Sequence, residues 1–357
     1  MIITFYTPTL KLTGGNLVMF QYAKYLASQE NCEVYIIAPD VEKKDYIQNG
    51  INIKTFKKFP NKYFEHIFFQ LIYLKQFFKL TPKSDIIIPI FFPLSIHAIY
   101  SKKMGKTEKV ISLFQDFKTM YWFGNYIYFL LRLPIIVNNI DDFIAVSTPT
   151  AKEILQYAKK EAIIIPNGIN TNIFYPRKVE KENYILFIGS SKTKGVKEFV
   201  KSYKLVKREF PELKAIIVGP NLYNTDDSDI TFLGTIKDKD NLALLYSKAL
   251  VYVSQSYGDS FGLPPLEAMA CGTAVVLTDT VGAKEYAVDG ENSIIIPIKN
   301  INKTAEAIIK ILRNKNIREK FEKNGIETAS KYSLDNTNKN ITKLIWSFNK
   351  QTCKFSK

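Results

Sequence analysis

At 357 residues the chain is long enough for two domains, each burying its own core. Apolar residues at 46% and charged residues at 23% exclude a disordered chain, and a formal net charge of +15, shared almost evenly by the two halves, excludes a basic tail. Three scattered cysteines (Cys32, Cys271, Cys353) and two histidines (His66, His97) exclude a disulfide framework and a zinc site and point to a reducing compartment.

The opening MIITFYTP lacks a basic leader and a cleavage site, so it reads as a first strand and not as a signal peptide. No uncharged apolar run reaches the ~18 residues of a membrane span; Tyr126 to Val137 is interrupted by Arg132 and Pro134. A cytoplasmic protein is predicted.

In the first half, strands are expected at Ile2–Tyr6, Glu33–Ala38, Asn52–Phe56, Asp85–Ile90, Lys109–Leu113 and Asp142–Val146. Helices are expected at Asn16–Ser28, Tyr63–Lys79, Tyr121–Leu131 and Thr148–Tyr157. The stretch 54–80 interleaves lysines with aromatics. It reads equally as a membrane-surface helix, at the inner face of a cell membrane, or as a core-packed helix with wetted lysines. The aromatic patch Met120 to Leu133 would add to such a surface. No nucleic-acid module accompanies the positive charge, so nucleic acid is not an expected partner.

In the second half, strands are expected at Tyr184–Gly189, Lys214–Val218, Ile230–Leu233, Leu250–Ser254, Ala274–Leu277 and Ser293–Ile296. Helices alternate with them at Gly195–Glu209, Lys239–Lys248, Pro265–Ala270, Ala283–Ala287, Lys303–Arg313 and Ile317–Ser330. Such alternation predicts an α/β protein with a doubly wound parallel sheet in each half. Turn residues from Pro166 to Pro176 mark the seam, giving domains 1–170 and 171–331, then a polar helical tail, 332–357, anchored by Leu344, Ile345 and Trp346.

Four stretches carry chemistry. The main one, Ser254 to Gly290, runs from a buried strand through a glycine- and proline-bearing loop into a helix start, where backbone N–H groups are free for a ligand. It holds two carboxylates, Asp259 and Glu267, which suit vicinal hydroxyls of a sugar or ribose. The other three are Gly14–Gly15 between the first strand and helix, GSSKTKG at 189–195, and Gln115–Asp116 after a strand. Asp116 suits either a base near a hydroxyl or a turn cap. His97, inside IPIFFPLSIHAIY, reads as a core histidine before a catalytic one. Asp238 and Asp240 have metal-motif spacing but fall at a helix start, where aspartates cap.

The string FGLPPLEAMACG at 261–272 resembles the donor site of retaining GT-B glycosyltransferases of glycosyltransferase family 4, with Asp259 standing where the family has its first Glu. Asn167, Gly168, Ile169, Asn170 and Phe174 resemble the family's interdomain junction. The resemblance implies two Rossmann-like domains facing across a cleft, the last helix returning to the N-terminal one. It further implies metal-independent transfer of a sugar from a nucleotide-diphosphate sugar, UDP- or GDP-linked, to a glycan or lipid-linked acceptor, in cell-surface polysaccharide or glycolipid synthesis.

By the same resemblance, Glu267 would hold the ribose, Asp259 the sugar hydroxyls, and Lys194 with the N–H groups of Phe261, Gly262 and Leu263 the diphosphate. Gly15 would lie beneath the diphosphate, and Glu285 would brace the pocket or cap a helix. The family arginine is absent, Ser190 occupying its position, and Lys192 is either its substitute or a solvated lysine. Many family members carry a histidine near Asp116 and this sequence does not, so Asp116 is an acceptor-side candidate, with His97 the fallback. Two other classes stay open, a non-catalytic membrane-associated sugar-nucleotide-binding subunit and a GT-B nucleotide-sugar epimerase.

Overall fold

A computed structural model describes residues 1–11, 14–39, 50–58, 73–115 and 136–352. Two compact units emerge, Met1–Pro166 with Asn338–Lys357, and Asn167–Thr337.

The first unit runs β1 (Ile2–Tyr6), α1 (Gly14–Ala27), β2 (Glu33–Pro39), β3 (Ile51–Phe56), α2 (Leu74–Leu80), β4 (Ser84–Pro89), α3 (Ser95–Lys103), β5 (Thr107–Phe114), β6 (Asp142–Ala145), α4 (Thr148–Ala158) and β7 (Ile163–Ile164). Its seven strands lie in the order β3-β2-β1-β4-β5-β6-β7, and every pair is parallel. Central strands such as β4, with Ile86, Ile87 and Ile88 all buried, are apolar on both faces because helices cover both sides. The helix Leu334–Thr352 sends Ile341, Leu344 and Ile345 into the core of this unit beside Ile3, Val18 and Ile36, with Trp346 packed at its edge.

Helix α3 was not among the expected elements. Its buried residues Ser95, His97, Ala98, Ile99 and Ser101 occupy more than one face, so no polar stripe betrays a 3.6-residue period. His97 is fully buried, with its ring 4.9 Å from that of Phe77, as a core histidine is. The expected helix Tyr121–Leu131, most of Tyr63–Lys79 with most of the 54–80 surface, and Asp116 lie outside the described residues. Among the described residues no helix is long and apolar enough to cross a membrane.

The second unit runs β8 (Tyr184–Ile188), α5 (Val196–Lys207), β9 (Lys214–Val218), β10 (Ile230–Phe232), α6 (Lys239–Lys248), β11 (Val251–Ser254), α7 (Leu263–Ala270), β12 (Ala274–Thr278), β13 (Ile294–Ile296), α8 (Ile301–Arg313) and α9 (Lys315–Lys331). The six strands are parallel in the order β10-β9-β8-β11-β12-β13. Their two-residue period splits the core in two. Ile185, Phe187, Val251 and Val253 pack with Phe199, Tyr203 and Ile308 on one face. Leu186, Tyr252, Val275 and Leu277 pack with Tyr246, Leu266 and Met269 on the other.

Side chains cap the helices where the sequence supplies Asn or Asp. Asn300 accepts from Lys303 N at 3.0 Å and Asn314 from Ile317 N at 3.1 Å. The helix expected at Ala283–Ala287 is a single 3-10 turn, Ala283–Glu285, because Tyr286 and Ala287 turn inward to the core. Both sheets place their first and fourth strands side by side, β1 with β4 and β8 with β11. The chain reverses its winding there and leaves a crevice beyond the strand ends.

Candidate active site

The loop after β8 carries GSSKTKG. Lys192–Lys194 form one 3-10 turn closed by Gly195, whose φ is +79°. A Cβ at Gly195 would stand 2.3 Å from the Gln255 carbonyl oxygen, so conformation and space both demand glycine here. This close approach binds the loop after β8 to the loop after β11. Tyr257 N donates to the Thr193 carbonyl at 2.9 Å, and Tyr257 Oη donates to Glu198 Oε2 at 2.7 Å.

Within this frame the Lys194 ammonium is ion-paired with the Asp259 carboxylate, their side chains 29% and 20% exposed. Two residues 65 positions apart thus meet at the switch point of the sheet. Lys192 is exposed, and Ser190 is exposed as well.

The loop from Tyr257 to Gly262 is held from beneath. Gly282 N donates to the Asp259 carbonyl at 2.7 Å, and Thr278 Oγ1 to the Ser256 carbonyl at 2.6 Å. Tyr286 Oη donates to the Gly262 carbonyl at 2.7 Å. The Phe261 ring is buried against Tyr286 and Tyr332, at 5.6 and 5.9 Å between centroids. Its side chain anchors the loop.

Among the described residues the N–H groups of Phe261, Gly262 and Leu263 donate to no protein acceptor. Helix α7 starts at Leu263, and Pro264 and Pro265 follow, so two of the usual free donors of a first turn are missing. The remaining donors are concentrated on the loop itself.

Glu267 lies one turn into α7 and is only 9% exposed. Tyr246 Oη, from α6, donates to its Oε2 at 3.1 Å. Burial pushes the Glu267 carboxyl above the usual carboxylate range, against the pull of Lys239 and of the Tyr246 hydrogen bond. Tyr246 is itself held well above the ordinary phenol value by burial and by that carboxylate. Glu285 is half-buried on the 3-10 turn, where its carbonyl accepts from Tyr332 Oη at 2.7 Å.

In the first unit, Gly15 and Gln115 come together. Gln115 Nε2 donates to the Gly15 carbonyl at 3.1 Å, and a Cβ on Gly15 would fall 2.2 Å from Gln115 Oε1. Buried Asn16 holds the loop after β1 by donating to the carbonyls of Thr9 and Lys11, at 2.7 and 2.6 Å. Asp238 caps α6, accepting from Asp240 N at 2.9 Å, and Asp240 pairs with Arg177 at 2.6 Å.

The family model of the glycosyl transferases group 1 matches residues 169–328, and that of glycosyltransferase family 4 matches residues 12–173. The chain belongs to glycosyltransferase family 4. An uncharacterized glycosyltransferase of Methanocaldococcus jannaschii is 30% identical over 207 residues, 55% of this chain and 57% of that protein. The O-antigen chain mannosyltransferase of Salmonella typhimurium is 30% identical over 217 residues, 54% of this chain and 61% of its own length. The chain thus spans little more than half the length of these two relatives. Anabaena HepE, solved in complex with UDP and glucose, superposes with a TM-score of 0.78 at 17% identity over 97% of this chain and 99% of that one, a likeness of fold. The fold is GT-B.

Several residues of this candidate site carried no sequence signal. Tyr246 sits in a helix without a motif, and only its contact with Glu267 marks it. Tyr257, Gly282 and Tyr286 set the loop's shape through bonds between segments distant in sequence.

Proposed function

We propose that the protein is a retaining, metal-independent glycosyltransferase that moves a sugar from a nucleotide-diphosphate sugar to a glycan or lipid-linked acceptor. The observation that carries this reading is the meeting of Lys194, Asp259 and three unoccupied loop N–H groups at the β8–β11 switch point, beside buried Glu267.

In this reading Glu267 accepts from the ribose hydroxyls, with Tyr246 holding its other oxygen. Asp259 accepts from sugar hydroxyls. Retaining transfer passes through an oxocarbenium-like state in which charge builds on the leaving diphosphate. Lys194 and the N–H groups of Phe261, Gly262 and Leu263 stabilise that charge without a metal, and donors fixed in advance are worth about 10²–10³ in rate each. Lys192, exposed on the same loop, is the secondary phosphate contact, and Glu285 braces the floor of the loop through its backbone.

In the first unit, Gly15 and Gln115 are assigned to the donor-diphosphate and acceptor side, with Asp116 as the acceptor-side base. The polysaccharide or glycolipid setting draws support from the O-antigen relative. UDP and GDP are the nucleotides favoured, and peripheral contact at the inner membrane face through 54–80 belongs to the same reading.

Calorimetric titration with UDP, GDP, ADP and dTDP, repeated on Glu267→Ala, tests the site. Micromolar binding of one nucleotide, lost in the variant, supports the assignment. Binding without hydrolysis or transfer of the matching nucleotide sugar would instead make the protein a binding subunit. No binding of any nucleotide would reject the donor site altogether.

A further inference from the structure

We infer that Asp259 makes the site discriminate between the nucleotide-sugar donor and the free nucleoside diphosphate that remains after transfer. This rests on the nucleotide-sugar reading above and adds a second duty for a residue that touches the sugar.

The argument starts from the ion pair. Lys194 is the main ammonium assigned to a diphosphate in the β8–α5 loop, with exposed Lys192 secondary, and Lys194 is already engaged by the Asp259 carboxylate. Any anion that takes Lys194 therefore comes within the span of one ion pair of a negative charge. Both side chains are less than a third exposed, so solvent screens that repulsion only in part.

The two ligands differ at the atom that arrives there. In the donor the terminal phosphate is esterified, and the group beyond it presents hydroxyls, which an ionised carboxylate accepts well. In the free diphosphate the same phosphate is a monoester end with a second pKa of about 6, so near neutrality it carries an additional charge and no hydroxyl donor. An acceptor-only carboxylate stabilises the first and repels the second. Asp259 also re-pairs with Lys194 as the diphosphate leaves, which favours departure of the by-product and limits product inhibition.

The loop is built to hold this carboxylate in place. The Asp259 carbonyl is bonded by Gly282 N at 2.7 Å, and its neighbour Tyr257 is tied to both Thr193 and Glu198. The position of the charge is therefore set by the backbone, and removing the carboxylate leaves the loop's own bonds intact.

The test is calorimetry on the full chain and on Asp259→Asn, with UDP against UDP-glucose and GDP against GDP-mannose, on either side of the phosphate's second pKa of about 6. The variant is expected to bind the free diphosphate about tenfold more tightly above that pH, with the gain shrinking below it, and to bind the nucleotide sugar no more tightly. Lys194→Gln is expected to lose affinity for both ligands and more for the free diphosphate. Unchanged or weaker binding of the free diphosphate by Asp259→Asn, or equal tightening of both ligands, would overturn the inference. Failure of the wild-type chain to bind either class of ligand would reject the nucleotide-sugar reading itself, a different result.

Discussion

Replacing Tyr246 with phenylalanine probes the buried carboxylate without touching a ligand. The Tyr246 hydroxyl donates to Glu267 Oε2 at 3.1 Å, and its ring packs on Phe174 and Tyr252 at 6.1 and 5.5 Å, contacts that phenylalanine keeps. The loss is one hydrogen bond to a charged acceptor, worth about 1.5–3 kcal/mol. At 3.1 Å the lower end applies, and about 1.4 kcal/mol corresponds to a tenfold change in affinity.

The pH dependence carries the sharper sign. Burial raises the Glu267 pKa and the Tyr246 hydrogen bond lowers it, so the variant carboxyl rises further. A ribose-binding carboxylate must be ionised, so binding fails as pH falls through the folded pKa, and in Tyr246→Phe it fails at a higher pH. Stability moves the other way. With the folded pKa above the unfolded one, the folded state holds the proton more firmly, so stability falls as pH rises through that window. Calorimetric Kd values for UDP and GDP across mildly acidic to neutral pH, with denaturant melts, measure both. An unchanged Kd and superimposable pH profiles would refute the view that Tyr246 orients Glu267 for its ligand.

Glu267→Gln keeps an acceptor for Tyr246 and removes the buried charge; thermal melts at neutral pH should show a higher Tm with a flatter pH slope, while nucleotide affinity drops. A lower Tm would contradict the burial argument. Gly195→Ala forces a side chain into a left-handed conformation 2.3 Å from the Gln255 carbonyl and should cost about 1–3 kcal/mol in guanidinium unfolding, with loss of nucleotide binding. Gly15→Ala meets only the end of the flexible Gln115 side chain, at 2.2 Å, so it should leave the melting midpoint nearly unchanged. Transfer kinetics should reveal its effect instead, and a matching defect in Gln115→Ala would tie the two residues to one step.

The sheets were legible because their strands announce themselves. Runs such as Ile86–Ile88 and Val275–Leu277 are buried on both faces and flanked by turn residues, and the strand at Lys214–Val218 falls where its five residues predict. Helix α3 was hidden for the opposite reason: buried on several sides, it has no amphipathic stripe to read. At Ala283–Ala287 helix-forming residues predict a longer helix, which the inward turn of Tyr286 cuts to the 3-10 turn Ala283–Glu285. Within the site, FGLPPLEAMACG displayed its turn chemistry locally. Tyr246 could not be read in the same way, since its meaning comes from a contact across two helices.

The Lys194–Asp259 pair shows how far topology decides what a motif can do. The two residues follow β8 and β11, which have β9 and β10 between them in the chain yet are direct neighbours in the sheet. Had the strands been laid down in sequence order, two strands would have separated those loops by about 10–15 Å, and no ammonium could reach the carboxylate. Reversal of winding at β8 removes that distance, and Gly195 closes what remains by letting its backbone touch Gln255. A lysine that would otherwise be a solvated loop residue acquires a fixed, partly buried counter-charge by this route. In the proposed reading Asp259 thereby serves the phosphate subsite as well as the sugar subsite, through the strand order and the Gly195 contact together.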